Sequence, residues 1–243
     1  AAIVQDSVIE ASPEPESQPM ANGEANVRLD GIALFPDWDD GDTFSYTDPE
    51  TGEEVSARLT GYNTLESYGP VHRWGDWTAE ELYELSQDAG RLAREGLTPN
   101  LPWTCTTLPG SCGYGRICVS CPGLQEALLR NGLAHMFSLR DDADPEMLAI
   151  QHESQEAGNG MWEKGVPSEL VTSLHSLDER EDQTQTYNRL ISTETGRSIQ
   201  LHHSETYETC EWVCPSDSCM LYVPYRERYG DSRAECLLPE ADT

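Results

Sequence analysis

Trp38-Asp39-Asp40-Gly41-Asp42-Thr43-Phe44, followed after a turn by Ala57-Arg58-Leu59-Thr60-Gly61-Tyr62-Asn63-Thr64-Leu65-Glu66, is the stretch on which the reading of this chain rests. It reads as two strand-like segments with carboxylates gathered at their ends. Asp40-Gly41 is a turn signal, since glycine takes positive φ freely. Asp48-Pro49-Glu50-Thr51-Gly52 is a second turn, so 43–47 and 54–60 read as a hairpin. That folding brings Asp40, Asp42, Asn63, the Thr64 carbonyl and Glu66 into one oxygen-rich pocket suited to a hard cation such as Ca²⁺. Arg58, on the same hairpin, adds a planar donor fork suited to phosphate.

Asp40-Gly41-Asp42-Thr43, Arg58-Leu59 and Asn63-Thr64-Leu65-Glu66 are followed by three further motifs in order. They are Tyr114-Gly115-Arg116, the run from Leu124 to Gly132-Leu133-Ala134, and Gly160-Met161-Trp162. Each is weak alone; the ordered set, across about 27–165, resembles the staphylococcal nuclease (thermonuclease) family. The resemblance implies an α+β fold with a five-stranded OB-type Greek-key β-barrel and three helices. It implies hydrolysis of phosphodiester bonds in DNA and RNA with Ca²⁺ as cofactor. Glu66 matches the family's general base. Arg58 and Arg116 match its two catalytic guanidiniums, and Tyr114 a tyrosine beside the bound nucleotide. Asp42, Asn63 and the Thr64 carbonyl are the implied metal ligands, with Asp40 in an outer shell. Two residues depart from the family pattern. Asn63 stands where the pattern has Asp, removing one negative charge from the metal site. Leu65 stands where it has Pro, which loosens the loop carrying Glu66.

Composition is at odds with an ordinary nucleic-acid binder. The chain has 243 residues, 44 acidic against 15 basic, and a formal charge of −29. A single lysine, Lys164, stands among the arginines. Residues 27–165 alone hold 24 acids and 9 bases, so the acidity belongs to the nuclease-like part as well. Either the surface is adapted to high salt, where short Debye lengths blunt self-repulsion, or the partner is not a polyanion. Two further function classes stay open on this evidence: a nuclease-like barrel that binds nucleic acid or protein without cutting, and a disulfide-rich surface adaptor.

The eight cysteines fall into two even groups, 105–121 and 210–236. Even counts predict disulfides within each group and an oxidising compartment: extracellular, periplasmic or cell-surface. Zinc is the rival reading of Cys118-x-x-Cys121. Cys105 and Cys112 are expected to tie the loop bearing Tyr114 and Arg116. No apolar run reaches the roughly 20 residues of a membrane span, and a monomer is expected.

In chain order, 1–26 reads as a disordered acidic leader, for which a lipid tether stays open. Val27–Pro36 is the first strand. Thr78 caps a helix running to about Glu95, with Glu81 completing a capping box. Trp74 and Trp77 before it read as packing, with base stacking the alternative. Strands follow at 101–107 and 115–121, then helices at 124–131 and from Asp144 to about 158. Residues 166–243 form a cysteine-containing extension, with a short helix expected over 170–181 and strands near 190–191 and 198–201. Its Arg226, Arg228 and Arg233 beside Tyr222, Tyr225 and Tyr229 read first as local packing and second as a nucleic-acid contact. His202-His203 reads as exposed loop rather than a ligand pair.

Overall fold

The computed structural model describes residues 27–67, 71–96 and 101–237. The leader expected over 1–26 lies outside them. Among the described residues the fold is α+β, with a seven-stranded curled sheet, three α-helices and three smaller sheets.

The sheet comprises β1 (Val27–Leu29), β2 (Ile32–Leu34), β3 (Asp37–Trp38), β4 (Thr43–Thr47), β5 (Glu54–Leu59), β8 (Trp103–Leu108) and β9 (Ile117–Ser120). Its order is β2-β1-β8-β9-β5-β4-β3. The expected closed five-stranded barrel is therefore replaced by an open half-barrel. The cause lies in the first predicted strand, which is split and then cut short. Asp30 and Gly31 both have positive φ (51° and 89°) and fold 27–34 into a hairpin. Phe35-Pro36 then interrupts the segment again, and proline has no N–H to offer a ladder. The expected strand over 27–36 thus becomes two, β3 follows at Asp37–Trp38, and five become seven. The two edge strands, β2 and β3, are joined by only two residues. A sheet whose edges are so tethered must curl.

The concave side is filled by Trp38, Phe44, Leu59, Tyr62, Leu124, Leu128 and Leu129, all nearly inaccessible. Burying a side chain of this size contributes about 1.5–3 kcal/mol. Helix α1 (Ala79–Glu95) has the expected capping box, with Thr78 Oγ1 accepting from the Glu81 amide and Glu81 reaching back. Helices α2 (Pro122–Arg130) and α3 (Pro145–Ala157) also fall where expected. Asp144 caps α3 through the amides of Glu146 and Met147. A two-stranded ladder joins β6 (Tyr62–Thr64) to β10 (Ala134–Met136).

The C-terminal part is built on two sheets. One holds β11 (Glu169–Ser173), β12 (Thr186–Ser192) and β13 (Ser198–His203). The helix expected over 170–181 is instead β11 followed by a single 3₁₀ turn at Leu177–Glu179. Leu170-Val171-Thr172 suits a strand, and β12 supplies the partner. The second sheet orders β14 (Glu211–Val213), β15 (Ser218–Tyr222) and β7 (His72–Trp74). Strand β7 comes from the Trp-rich connection of the N-terminal part, so the small C-terminal core is completed by residues far away in sequence. Leu170 likewise packs with Leu65, Trp74, Trp77 and Leu82. Both tryptophans are core, with their indole N–H groups donating to the Gly165 and Met161 carbonyls.

All eight cysteines are bridged: Cys105–Cys121, Cys112–Cys118, Cys210–Cys236 and Cys214–Cys219. Pairing stays within each group, which fits an oxidising compartment and leaves no thiol for zinc. The expected Cys105–Cys112 tie is not formed. Cys112–Cys118 closes the Tyr114 and Arg116 loop instead. No helix among the described residues is long and apolar enough to cross a membrane.

Candidate active site

The β4–β5 register sets Thr43 opposite Arg58 and so brings Arg58 to the Asp40–Asp42 loop. Asp42 is only 2% exposed. Its Oδ1 accepts from Arg58 Nη1 and from Thr43 Oγ1 (3.0 Å), and its Oδ2 from the Thr64 amide (2.8 Å). Its own amide donates to Asp40 Oδ1 at 2.8 Å, and its carbonyl accepts from the Leu59 amide at 2.8 Å. The other arm of the Arg58 fork, Nη2, donates to Asn63 Oδ1 at 2.5 Å. Gly41 does not use positive φ here, contrary to the turn reading. It is needed for close approach: a Cβ would fall 2.6 Å from Thr64 Cγ2 and 3.1 Å from Ala89 Cβ of α1. The motif's glycine thus lets the acidic loop pack between strand and helix.

Parallel pairing of β5 with β9, Arg58 beside Cys118, carries the 112–118 loop alongside Arg58. Gly113, Tyr114 and Gly115 all have positive φ (77°, 53° and 77°). For tyrosine this is a strained conformation, of a kind concentrated at functional sites. The loop leaves Tyr114 95% exposed, with the Arg116 guanidinium 5.4 Å from its ring centroid. Arg116 also donates to the carbonyls of Gly113 and Cys112.

Both arginines open on a cleft of about 1080 Å³, which Glu66, Asn63 and Tyr114 also line. Asp40, Asp42 and Thr64 stand behind this lining rather than on it. The Glu66 side chain is exposed to the cleft. Leu65 before it is 3% exposed and packs with Trp74, Trp77 and Leu82, so it anchors the Glu66 loop instead of loosening it.

The concave surroundings strip water from Glu66 and raise its pKa, and the nearby Asp42 carboxylate adds to the rise. Arg228, Arg58 and Arg116 oppose it. Because solvent reaches Glu66 through the cleft, the rise reflects poor hydration in a concavity rather than enclosure. Asp40 is pushed well up by burial and by Asp42. Burial pulls the Arg58 guanidinium down, yet Asp42, Asp40 and Glu66 outweigh it and hold Arg58 above its ordinary value.

The residues fit a hard cation in donor type, since Asp42, Asn63, Thr64 and Asp40 offer only oxygen. Two of these oxygens, Asp42 Oδ1 and Asn63 Oδ1, already converge on one cation, the Arg58 guanidinium. Thr64 Oγ1 is buried without a hydrogen-bond partner. Among the described residues, however, no three His, Cys, Asp or Glu side chains gather as a metal cage. A bound ion would therefore need oxygens from water or substrate to complete its shell.

Sequence reasoning gave second place to what the C-terminal part brings to this cleft. Arg228, Arg189, Thr172 and Ser173 line it as well. The interleaved Arg and Tyr around 222–233 were the available signal for Arg228. Nothing local marks Arg189. His202 and His203 sit on β13, where His203 Nε2 meets the Tyr207 hydroxyl at 3.3 Å. No known family matches the chain, and a search of curated proteins finds no relative.

Proposed function

We propose that this chain is a secreted, metal-dependent nuclease that hydrolyses phosphodiester bonds of DNA and RNA on an α+β half-barrel scaffold. The observation that carries the reading is the convergence of Glu66 with the Arg58 and Arg116 guanidiniums on one cleft, in a chain of charge −29. Asp141, Asp142 and Asp144 also line the cleft, so it is the grouping of guanidiniums beside Glu66, and not net charge, that suits a phosphate ligand.

In this reading Glu66 accepts the proton of the attacking water, and its raised pKa makes it a better base than an ordinary carboxylate. Arg58 and Arg116 hold the phosphoryl oxygens and offset the charge that grows on them. Tyr114, exposed beside Arg116, offers a ring for the adjoining base. A Ca²⁺ ion held by Asp42, Asn63 and the Thr64 carbonyl, with Asp40 outside, would polarise the phosphoryl group. To serve substrate, Arg58 must exchange Asp42 and Asn63 for phosphate.

That same Arg58 clamp favours a second reading, a nuclease-like fold that binds without cutting, in which the guanidinium permanently takes the place of the ion. Plasmid digestion by the purified chain separates the two. Cleavage with Ca²⁺ that stops with EDTA is expected. Tight nucleic-acid binding with no cleavage in Ca²⁺ would replace the nuclease reading with the second.

A further inference from the structure

Five arginines line the cleft: Arg58, Arg116, Arg140, Arg189 and Arg228. They are a third of the 15 basic residues in the chain. Outside the cleft, Arg91, Arg130, Arg197 and Arg226 take the carboxylates of Asp88, Glu126, Asp142 and Glu227, whereas Arg28 and Arg94 donate to the Gly31 and Trp38 carbonyls and Arg73 lies over the Trp212 ring. In the cleft only Arg58 does so; among the described residues the other four have no carboxylate within ion-pair distance. Glu66, Asp141, Asp142 and Asp144 line the same cleft, yet none lies within ion-pair distance of these four guanidiniums, which leaves their donors turned toward an external anion.

Two of the four come from the C-terminal part, and both are held from behind. Arg228 donates from Nε to the Val223 carbonyl at 2.9 Å, while its terminal nitrogens have no hydrogen-bond partner among the described residues. Its own carbonyl accepts from Arg233 Nη1 at 2.6 Å. The Ala234 amide bonds the Glu227 carbonyl at 2.8 Å, and Cys210–Cys236 closes the segment. Arg189, on β12, leans on the Tyr187 ring, and its buried Nε has no partner. Thr172 and Ser173 of β11 add hydroxyls to the same face.

We infer that the C-terminal part supplies a second phosphate-binding wall, on which Arg228 and Arg189 hold backbone phosphates adjoining the one gripped by Arg58 and Arg116. The ligand is a nucleic-acid strand rather than a single nucleotide. Arg228 and Glu66 line the same cleft, which places this wall beside the proposed catalytic one. The inference rests on the nuclease reading of the cleft but is separable from it by experiment.

The test uses the full chain carrying Glu66→Gln, so that the probe is not cut. Binding of a short oligothymidylate and of thymidine 5′-monophosphate is measured across a salt series. Arg228→Ala is expected to weaken the oligonucleotide about tenfold and to flatten its salt dependence by about 0.7 in log–log slope, the share of one single-strand phosphate contact. Mononucleotide affinity should stay within about twofold. Arg228→Gln, which keeps a donor for Val223, should behave alike if Arg228→Ala folds poorly. Arg226→Ala, whose partner is Glu227, should change nothing. Unaltered oligonucleotide affinity and slope in folded Arg228→Ala and Arg228→Gln would overturn the second wall. So would an equal loss for the mononucleotide. A chain that binds the oligonucleotide through Arg228, yet whose unsubstituted form never cleaves, overturns the nuclease reading and leaves the wall standing. A chain that binds no oligonucleotide overturns both.

Discussion

The two walls of the cleft are built in different ways. One is local. Arg58, Asn63 and Glu66 lie on a hairpin and its continuation, and Arg116 and Tyr114 sit in a loop closed by Cys112–Cys118. The other is assembled at long range. Arg189 and Arg228 reach the cleft because β7 pairs with β15, because Leu170 packs among Trp74 and Trp77, and because Cys210–Cys236 ties the last segment. The first wall is held by a deep apolar core; the second borrows part of a core and adds two disulfides. Chemistry proposed on the first wall should therefore survive damage to the second, while recognition of an extended strand should not.

The largest expected effect tests that division at its centre. Glu66→Gln should lower turnover by roughly 10²–10⁴ while leaving the fold and oligonucleotide binding intact. Single-turnover cleavage with Ca²⁺, beside a binding titration, measures both. Near-normal cleavage by the variant would remove Glu66 as the base and with it the assignment of chemistry to the first wall.

Next comes the tie that holds the second wall. Replacing both Cys210 and Cys236 by Ala opens a loop with a sequence separation of 26. Such a cross-link contributes about 3 kcal/mol by restricting the unfolded chain. Denaturant unfolding should show that loss. Oligonucleotide affinity should fall with it while mononucleotide affinity holds. Equal loss of both ligands would mean that the two walls are one mechanical unit.

That asymmetry also explains what the sequence discloses. The first wall was legible because each residue sits in a short motif whose spacing fixes its neighbours, as with Asp40-Gly41-Asp42 and Arg58. The three helices were legible from caps such as Thr78 with Glu81 and Asp144-Pro145. The closed barrel was not, because Asp30-Gly31 split the first expected strand in two and Pro36 set off a further short strand, β3, after it. Asp30-Gly31 carries a hairpin signal that local reading had available. Strand β11 was missed because its partner β12 and its neighbour Ser218, whose Oγ accepts from the Val171 amide at 2.9 Å, lie far off in sequence. Arg189 was invisible for the same reason. No local pattern says that an arginine on β12 will line a cleft built by the N-terminal part.

The hinge between the walls should be sensitive to pH. His72 lies on β7, the strand that joins the two parts. Burial, and then the proximity of His135, pulls His72 down to about 3. Burial likewise holds His135 down to about 4. Both are neutral in the folded protein near neutrality, and both regain protons when it unfolds below about pH 6.5. Their contribution is thus fully present above about pH 6.5 and falls as pH drops toward the folded values. The slope is about 1.4 kcal/mol per pH unit for each histidine. By about pH 5.5 the loss from His72 alone should be roughly 1 kcal/mol. His72→Phe should flatten the stability profile in that window relative to the unsubstituted chain. Parallel profiles for the two proteins would show that His72 is not a neutral buried group at the hinge.

The smallest expected effect concerns salt, and it weighs the cleft against the rest of the surface. Three single-strand phosphate contacts would by themselves cost roughly a hundredfold in affinity between about 0.1 M and 1 M salt. Against this, a chain of −29 repels a polyanion at long range, and that repulsion is strongest at low salt. Raising salt shortens the Debye length from about 10 Å to about 3 Å and removes most of it. The close arginine contacts inside the concavity are screened less than charges facing open water. The two trends oppose one another, so cleavage at subsaturating substrate should change by less than about tenfold over this range, with Ca²⁺ saturating. Removing one contact tilts the balance toward the repulsion. Arg228→Ala, though slower throughout, should therefore gain relative to the unsubstituted chain as salt rises. Rates measured across the range, with folding followed in parallel, decide it. A steep fall with salt in the unsubstituted, folded chain would show that the acidic surface exerts no useful field on the cleft. The two walls would then act as an ordinary cationic groove.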